Sequence, residues 1–282
     1  MNLTLNFLPS TYSLLQKHEQ AGQQPDNLCG PYWVSLLLES YAQLSLSAVE
    51  VARAASTILP SQGNPSDWIP PGAISRTGEG YSTIPTVPNI DECGTAVEGL
   101  IQATEQLSQG HFCLLPLQTE DWEAGLETLV QICHDYPDWE MVPLLNIHTS
   151  YFWGSQLTLS AMAQFLRHGE RPVTSPDWRV GHFALLAGHL QGSGSAQGIG
   201  SAQGMERRLY AILDTYPQFG WNGLHLQPLD AIAQSLHRPQ QSTQGGILLF
   251  TPSKSIPQLQ NKLIQTGFRI SSWDNGTPFC PS

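Results

Sequence analysis

What this chain of 282 residues has little of narrows its function before any motif is read. Charged residues make up only 12% of it, about half the share of an ordinary globular protein. Basic residues are the scarcer kind: 12 Lys and Arg stand against 23 Asp and Glu, a formal net charge of −11. Such a surface repels phosphate backbones and anionic lipid, so neither nucleic acid nor membrane is expected as a partner; a neutral or cationic ligand suits it better. No apolar run approaches the roughly 20 residues that span a bilayer. Met1 to Pro9 has neither the basic start nor the sustained apolar centre of an export signal. The five cysteines (Cys29, Cys93, Cys113, Cys133, Cys280) are scattered, odd in number and without a CxxC pair, which argues against a disulfide framework or a structural zinc site. These absences predict a cytoplasmic protein whose thiols stay reduced.

Nine histidines are present, but none falls in an HxxxH, HExxH or HxH spacing. His182 and His189 lie seven apart, which on a regular strand puts them on opposite faces. No metal is expected. There is no GxxxxGK[ST] and no strand-to-helix GxGxxG, so no phosphate-anchored cofactor is expected either.

The remaining composition, 40% hydrophobic and 9% aromatic, is that of a globular protein built as one large domain or two intimately packed lobes. Helical patterns cover about 31–43, 47–57, 95–108 and 119–134. Apolar runs with strand character follow at 111–117 and 141–148, then a helix over 157–168. Strands are expected around His182 (178–188) and before Asp214 (208–217). A helix at 228–237, a strand at 246–250, a helix at 256–266 and a short strand at 267–271 complete the pattern. Helices first and a mostly antiparallel sheet later is an α+β order, with a helical lobe at about 1–110 and a sheet lobe at about 111–282. Between Pro60 and Cys93 runs a Pro/Gly/Ser-rich stretch with Trp68, Pro70-Pro71-Gly72 and Tyr81. It is too long for an idle connection, and its aromatic residues predict that it packs, with the cleft as its place. Ser195-Ala196-Gln197-Gly198 recurs as Ser201-Ala202-Gln203-Gly204, read as an expanded surface loop between the His182 and Asp214 strands.

The chemistry concentrates at Cys29. A polar, turn-forming run, Gln23-Gln24-Pro25-Asp26-Asn27-Leu28, ends at Cys29-Gly30, and an apolar run Pro31 to Leu38 begins at once. Pro31 suits a first helical turn, so Cys29 belongs at a helix N-terminus, where open N–H groups and the dipole favour a thiolate. Gln23, six residues upstream, is placed to offer an N–H to an oxyanion beside the sulfur. A lone cysteine at a helix start is more often a buried structural residue, so a base and its orienting group must also be found. Gly181-His182-Phe183 and Leu213-Asp214 supply them on two strands joined by a loop. Taken singly, His182 also reads as a core histidine and Asp214 as a turn residue; taken with Cys29 and Gln23 they make a catalytic order, Gln–Cys–His–Asp.

That order and those local motifs resemble the papain-like cysteine peptidase superfamily, nearest to its phytochelatin synthase and bacteriocin-processing (double-glycine leader) peptidase branch. Gln23, Cys29-Gly30, Gly181-His182-Phe183 and Leu213-Asp214 match residue by residue, and Tyr216-Pro217 through Leu229 is similar to the phytochelatin synthase segment after the acid. The match covers about residues 20–45 and 178–251; residues 46–177 have no counterpart, and the two halves lie farther apart than in those families. The resemblance implies a papain-like fold with the site in a cleft between lobes. It also implies Cys29 as nucleophile, His182 as base, Asp214 as orienting acid and Gln23 in the oxyanion hole. The substrate it implies is a peptide or small γ-peptide, attacked through a thioester. Hydrolysis by a peptidase or amidase comes first. Transfer to a thiol or amine acceptor, maturation of a leader-bearing precursor, and a non-catalytic binding module on the same fold stay open. Cys93, in Glu92-Cys93-Gly94, is the rival thiol, but Val87 stands where a Gln would be needed and the adjacent glutamate opposes a thiolate. Nothing in the sequence fixes an oligomeric state.

Overall fold

The computed structural model describes residues 2–153, 158–171, 178–193 and 208–279. Strand β1 (Asn2–Phe7) leads into α1 (Tyr12–Ala21), α2 (Cys29–Tyr41) and α3 (Ala48–Ala54), the last opened by a capping box between Ser47 and Glu50. Two-residue strands β2 (Leu59–Pro60) and β3 (Thr86–Val87) pair in parallel within the Pro/Gly-rich stretch. Next come α4 (Val97–Leu107), β4 (Phe112–Gln118), α5 (Trp122–Asp135), β5 (Val142–His148) and α6 (Leu159–His168). The remainder is β6 (Gly181–Ser193), β7 (Leu209–Leu213), β8 (Leu224–Pro228), α7 (Leu229–His237), β9 (Gly246–Pro252), α8 (Ile256–Gln265) and β10 (Arg269–Ile270). The class is α+β, as expected.

The main sheet runs β10-β4-β9-β5-β6-β7-β8, with β1 also on β6. Every pairing in it is antiparallel. β6 is its spine: Gly181–Leu185 pair with β5, Leu185–Leu190 with β7, and the far end with β1. Helices cover both faces. On one, α1 to α4 and α6 pack Leu14, Trp33, Val51, Leu100 and Phe165 against Leu144, Leu185, Leu213 and Leu248. On the other, α5, α7 and α8 pack Leu126, Ile232 and Leu259 against Leu145, Leu186, Ile212 and Leu249. Neighbouring strand residues therefore enter opposite cores, which is why these strands read as unbroken apolar runs instead of alternating ones.

Five elements among the described residues escaped the sequence reading: β1, α1, β8 and the two-residue strands β2 and β3. β1, α1 and β8 are short or polar and owe their form to tertiary partners: β1 is held along β6 and β8 along β7. The helix expected over 47–57 stops at Ala54, beyond which Ser56 takes a positive φ of 52°. Leu157, expected to start a helix, and the 195–204 repeat lie outside the described residues. The Pro60–Cys93 stretch packs at two places. Ile84 and Tyr81 join Leu28, Val49, Ala52 and Leu59 in a small core, while Ile69 and Ala73 lie against Trp178, Tyr216 and Phe219.

Candidate active site

Cys29 is the first residue of α2, half-buried, and no side chain caps the helix ahead of it. Two contacts fix that helix against the sheet. One turn after Cys29, the Trp33 indole N–H donates to the carbonyl of Phe183 at 3.0 Å, tying the nucleophile helix to the residue beside His182. Gly30 lies so close to Leu100 and Phe183 that an added Cβ would sit 2.7 Å and 3.2 Å from their side chains. The glycine after Cys29 is therefore a packing requirement: it lets α2 approach α4 and β6.

His182 is the second residue of β6, and Asp214 follows the last residue of β7. Leu185 pairs with Leu213, so His182 and Asp214 are not directly opposed and meet on a diagonal across the sheet end. His182 Nε2 lies 3.2 Å from Asp214 Oδ1, and His182 also hydrogen-bonds the Cys29 side chain. With Nε2 on the carboxylate, Nδ1 is the nitrogen left for sulfur. His182 and Asp214 are 2% and 1% exposed, dry enough for each charge to dominate its neighbour. Burial pulls the His182 pKa down, but the charge and hydrogen bond of Asp214 and the contact with Cys29 outweigh it, and the net shift is upward. Burial pushes Asp214 up, but His182 and then His225 outweigh it, holding the carboxyl well below its usual range. The pair is thus an imidazolium–carboxylate. Trp178 covers it edge-on, its ring 4.7 Å from that of His182, with its indole N–H on the Trp68 carbonyl at 2.9 Å.

Asp214 is the turn residue as well as the acid. Its Oδ1 accepts the Tyr216 N–H at 3.1 Å, and its own N–H donates to Gly223 O at 2.9 Å. Two further histidines, neither singled out from sequence, complete its surroundings. His18 donates from Nε2 to the Asp214 carbonyl at 2.6 Å and stacks on Trp33; burial lowers its pKa, so it is the neutral Nε2–H tautomer. His225 places Nε2 3.7 Å from Asp214 Oδ2. Its tautomer follows from Gln227: the Trp153 N–H donates to Gln227 Oε1 at 2.8 Å, which turns Gln227 Nε2 onto His225 Nδ1 at 3.1 Å. His225 Nδ1 is therefore the acceptor, and the N–H faces the carboxylate. The only sequence signal for this arm was His225 and Gln227 at a spacing of two, which puts both on one face of a strand. His18 gave none, because its partner is a main-chain carbonyl.

Gln23 and Gln24 are both buried and point differently. Gln23 Nε2 donates to Ile74 O at 2.6 Å, and its Oε1 accepts from Gln218 at 3.0 Å. Gln24 Nε2 donates to the Tyr216 hydroxyl at 3.3 Å. Burial, then the neighbouring Cys29, push the Tyr216 hydroxyl far above its usual pKa, so it stays protonated.

The other thiols sit in environments that oppose ionisation. Cys93 is raised by burial and then by Glu92 and Asp91, while burial lifts Cys113 to about 11 and Cys133 to about 12. Cys280 lies outside the described residues. The expected opposition of His182 and His189 fails, because a bulge between Leu186 and Gly188 resets the alternation. His189 meets His134 edge-on and lies tilted against Tyr210 on the α5 side, the face that Ala184 and Leu186 also enter. Among the described residues no three His, Cys, Asp or Glu side chains are grouped to hold a metal, and no helix is long and apolar enough to cross a membrane.

No curated protein and no solved structure matches the chain. A family model described as "Family of unknown function (DUF6885)" matches residues 8–274, nearly the full length, and the chain belongs to that family.

Proposed function

We propose that this chain is a papain-like cysteine enzyme that transfers an acyl group through a thioester on Cys29, the cleft lying between its helical and sheet lobes. The observation that carries the reading is the series Cys29–His182–Asp214, its histidine and acid buried, with Nε2 3.2 Å from Oδ1 and a helix N-terminus behind the sulfur. Within it, the Cys29 proton is already held on His182 Nδ1, and the thiolate adds to the carbonyl carbon of a peptide or γ-peptide amide. The Cys29 N–H and Gln23 stabilise the oxyanion. Asp214 holds the imidazole by Nε2–H and stabilises its charge. The intermediate collapses as His182 returns the proton to the departing amine, leaving a thioester. Water, deprotonated by the now neutral His182, then releases the acid and restores the thiolate beside the imidazolium. Hydrolysis is the favoured outcome and the cytoplasm the proposed setting; a thiol or amine acceptor in place of water makes the same site a transferase.

The test is intact-protein mass spectrometry after incubation with a peptide library. An acyl mass on Cys29, absent from Cys29→Ala, is the expected result and identifies the acyl group. A library left uncut, with no adduct on either protein, would count against the reading.

A further inference from the structure

The site described above is already in contact with a peptide, and that peptide is the chain itself. Three consecutive residues of the Pro/Gly-rich stretch lie along the loop that leads into Cys29. The Ile74 carbonyl accepts from Gln23 Nε2 at 2.6 Å. Ser75 Oγ donates to Asp26 Oδ2 at 2.6 Å, and the Arg76 N–H donates to Asp26 Oδ1 at 3.1 Å. Asp26 N–H returns a bond to Arg76 O at 2.8 Å, and the Arg76 guanidinium donates to Gln23 O at 3.0 Å. Three of the five bonds use main-chain groups of the segment and two use the side chains of Ser75 and Arg76, so the loop reads both the backbone and the identity of these two residues.

Two facts say this is more than a folded surface loop. The Ile74 side chain is 75% exposed, so apolar burial does not hold the segment at this point. Asp26 is 3% exposed, and its carboxylate is satisfied by hydroxyl and N–H donors from Ser75 and Arg76, with the Trp68 indole N–H at 3.5 Å. A buried carboxylate whose donors all come from one exposed stretch is costly unless that stretch, or something like it, is in place.

We propose that the Gln23–Asp26 loop is the binding site for an extended peptide substrate and that Ile74-Ser75-Arg76 occupies it as a pseudosubstrate. The Ile74 carbonyl takes the donor that the function proposed above assigns to the oxyanion, and this inference rests on that reading for its link to catalysis. The ligand class is a peptide in extended form with a hydroxyl residue directly after the carbonyl that is attacked. Such a peptide must displace residues 74–76 to bind.

The experiment compares the whole wild-type chain with a Ser75→Ala/Arg76→Ala variant, both changes lying on exposed positions. A fluorescein-labelled octapeptide with the sequence of residues 71–78, Pro-Gly-Ala-Ile-Ser-Arg-Thr-Gly, is titrated by anisotropy against each, beside a scrambled control. Iodoacetamide labelling of Cys29 is followed in parallel. The expected result is at least about tenfold tighter binding to the variant, no such gain for the scrambled peptide, and alkylation rates within about threefold. Equal binding to both proteins, or equal binding of the scrambled peptide, overturns the proposal. The two readings fail separately. A reactive Cys29 without peptide binding rejects the pseudosubstrate alone, and peptide binding beside an unreactive Cys29 rejects the catalytic assignment alone.

Discussion

Asp214→Asn puts the electrostatics of the site to its hardest test. The change is nearly isosteric at a residue that is 1% exposed, so packing is preserved while the charge is lost. An opposite charge about 4 Å away is worth about 4 kcal/mol at the effective dielectric of a protein, or about three pK units on His182. There is a second cost. Oδ1 accepts from both His182 and the Tyr216 N–H, so the amide oxygen must take that position and the NH2 must face His225. His225 presents an N–H there too, because Gln227 occupies its Nδ1, and donor then meets donor. Breaking a buried pair in this way costs about 3–5 kcal/mol and should lower the melting temperature by roughly 10 °C. The pH sign is fixed by the two shifts. His182 is raised, so its contribution is complete below the unfolded value of about 6.5 and fades as pH rises through the folded value; Asp214 is lowered, so its contribution is complete above about 4 and fades on acidification. The stability gap between the two proteins should therefore be widest between about pH 4 and 6.5. The chemical assay is Cys29 alkylation by iodoacetamide against pH. An unassisted thiol of pKa about 8.5 is roughly 0.3% ionised at pH 6, so the variant should react about 100-fold more slowly than wild type there and converge with it near pH 9. A folded variant that keeps its pH 6 rate within threefold refutes the imidazolium–carboxylate picture.

Cys29→Ala should abolish acyl-adduct formation and leave the melting temperature within about 2 °C, since a half-buried position at a helix start loses little packing; a large fall would make Cys29 structural. Gln23→Ala should slow turnover about 10²–10³-fold with Cys29 alkylation nearly unchanged, and the matching assay on Gln24→Ala discriminates, because a loss there with Gln23→Ala active would move the oxyanion donor one residue along. His225→Phe should cut the pH 6 alkylation rate about tenfold or more while KM for a cleaved peptide stays unchanged, whereas an unaltered pH profile would show that Asp214 does not need its second histidine. Replacing 194–207 with a four-residue Gly/Ser turn should cost about 1 kcal/mol or less in stability and keep most activity, because β6 and β7 place His182 and Asp214; lost turnover in a folded deletion would bring that loop into the site.

Local chemistry was legible from the sequence. Pro31 and the apolar run behind Cys29 announced a helix start, and the structure begins α2 at that residue. The strands of His182 and Asp214 were readable from their apolar character, and the antiparallel hairpin between them followed from their order. The long Pro/Gly-rich stretch carried enough aromatic residues to say that it packs, and it does, against Trp178 and its neighbours. What the sequence could not hold were contacts made through main-chain groups or across long separations. The Trp33 bond to Phe183 O and the His18 bond to Asp214 O depend on carbonyls that every residue carries, so no side-chain pattern marks them. The His225 proton is fixed only because Trp153, Gln227 and Asp214 converge from three different parts of the chain. The bulge in β6 turned His189 against the simple alternation. The use of Gln23 was decided the same way: spacing offered it as a donor, and only the packing of Ile74 beside it shows which carbonyl it holds. Residue type and short spacing determine which groups are available; the sheet and the long loop decide which of them meet, because burial and hydrogen-bond direction exist only once distant segments are brought together.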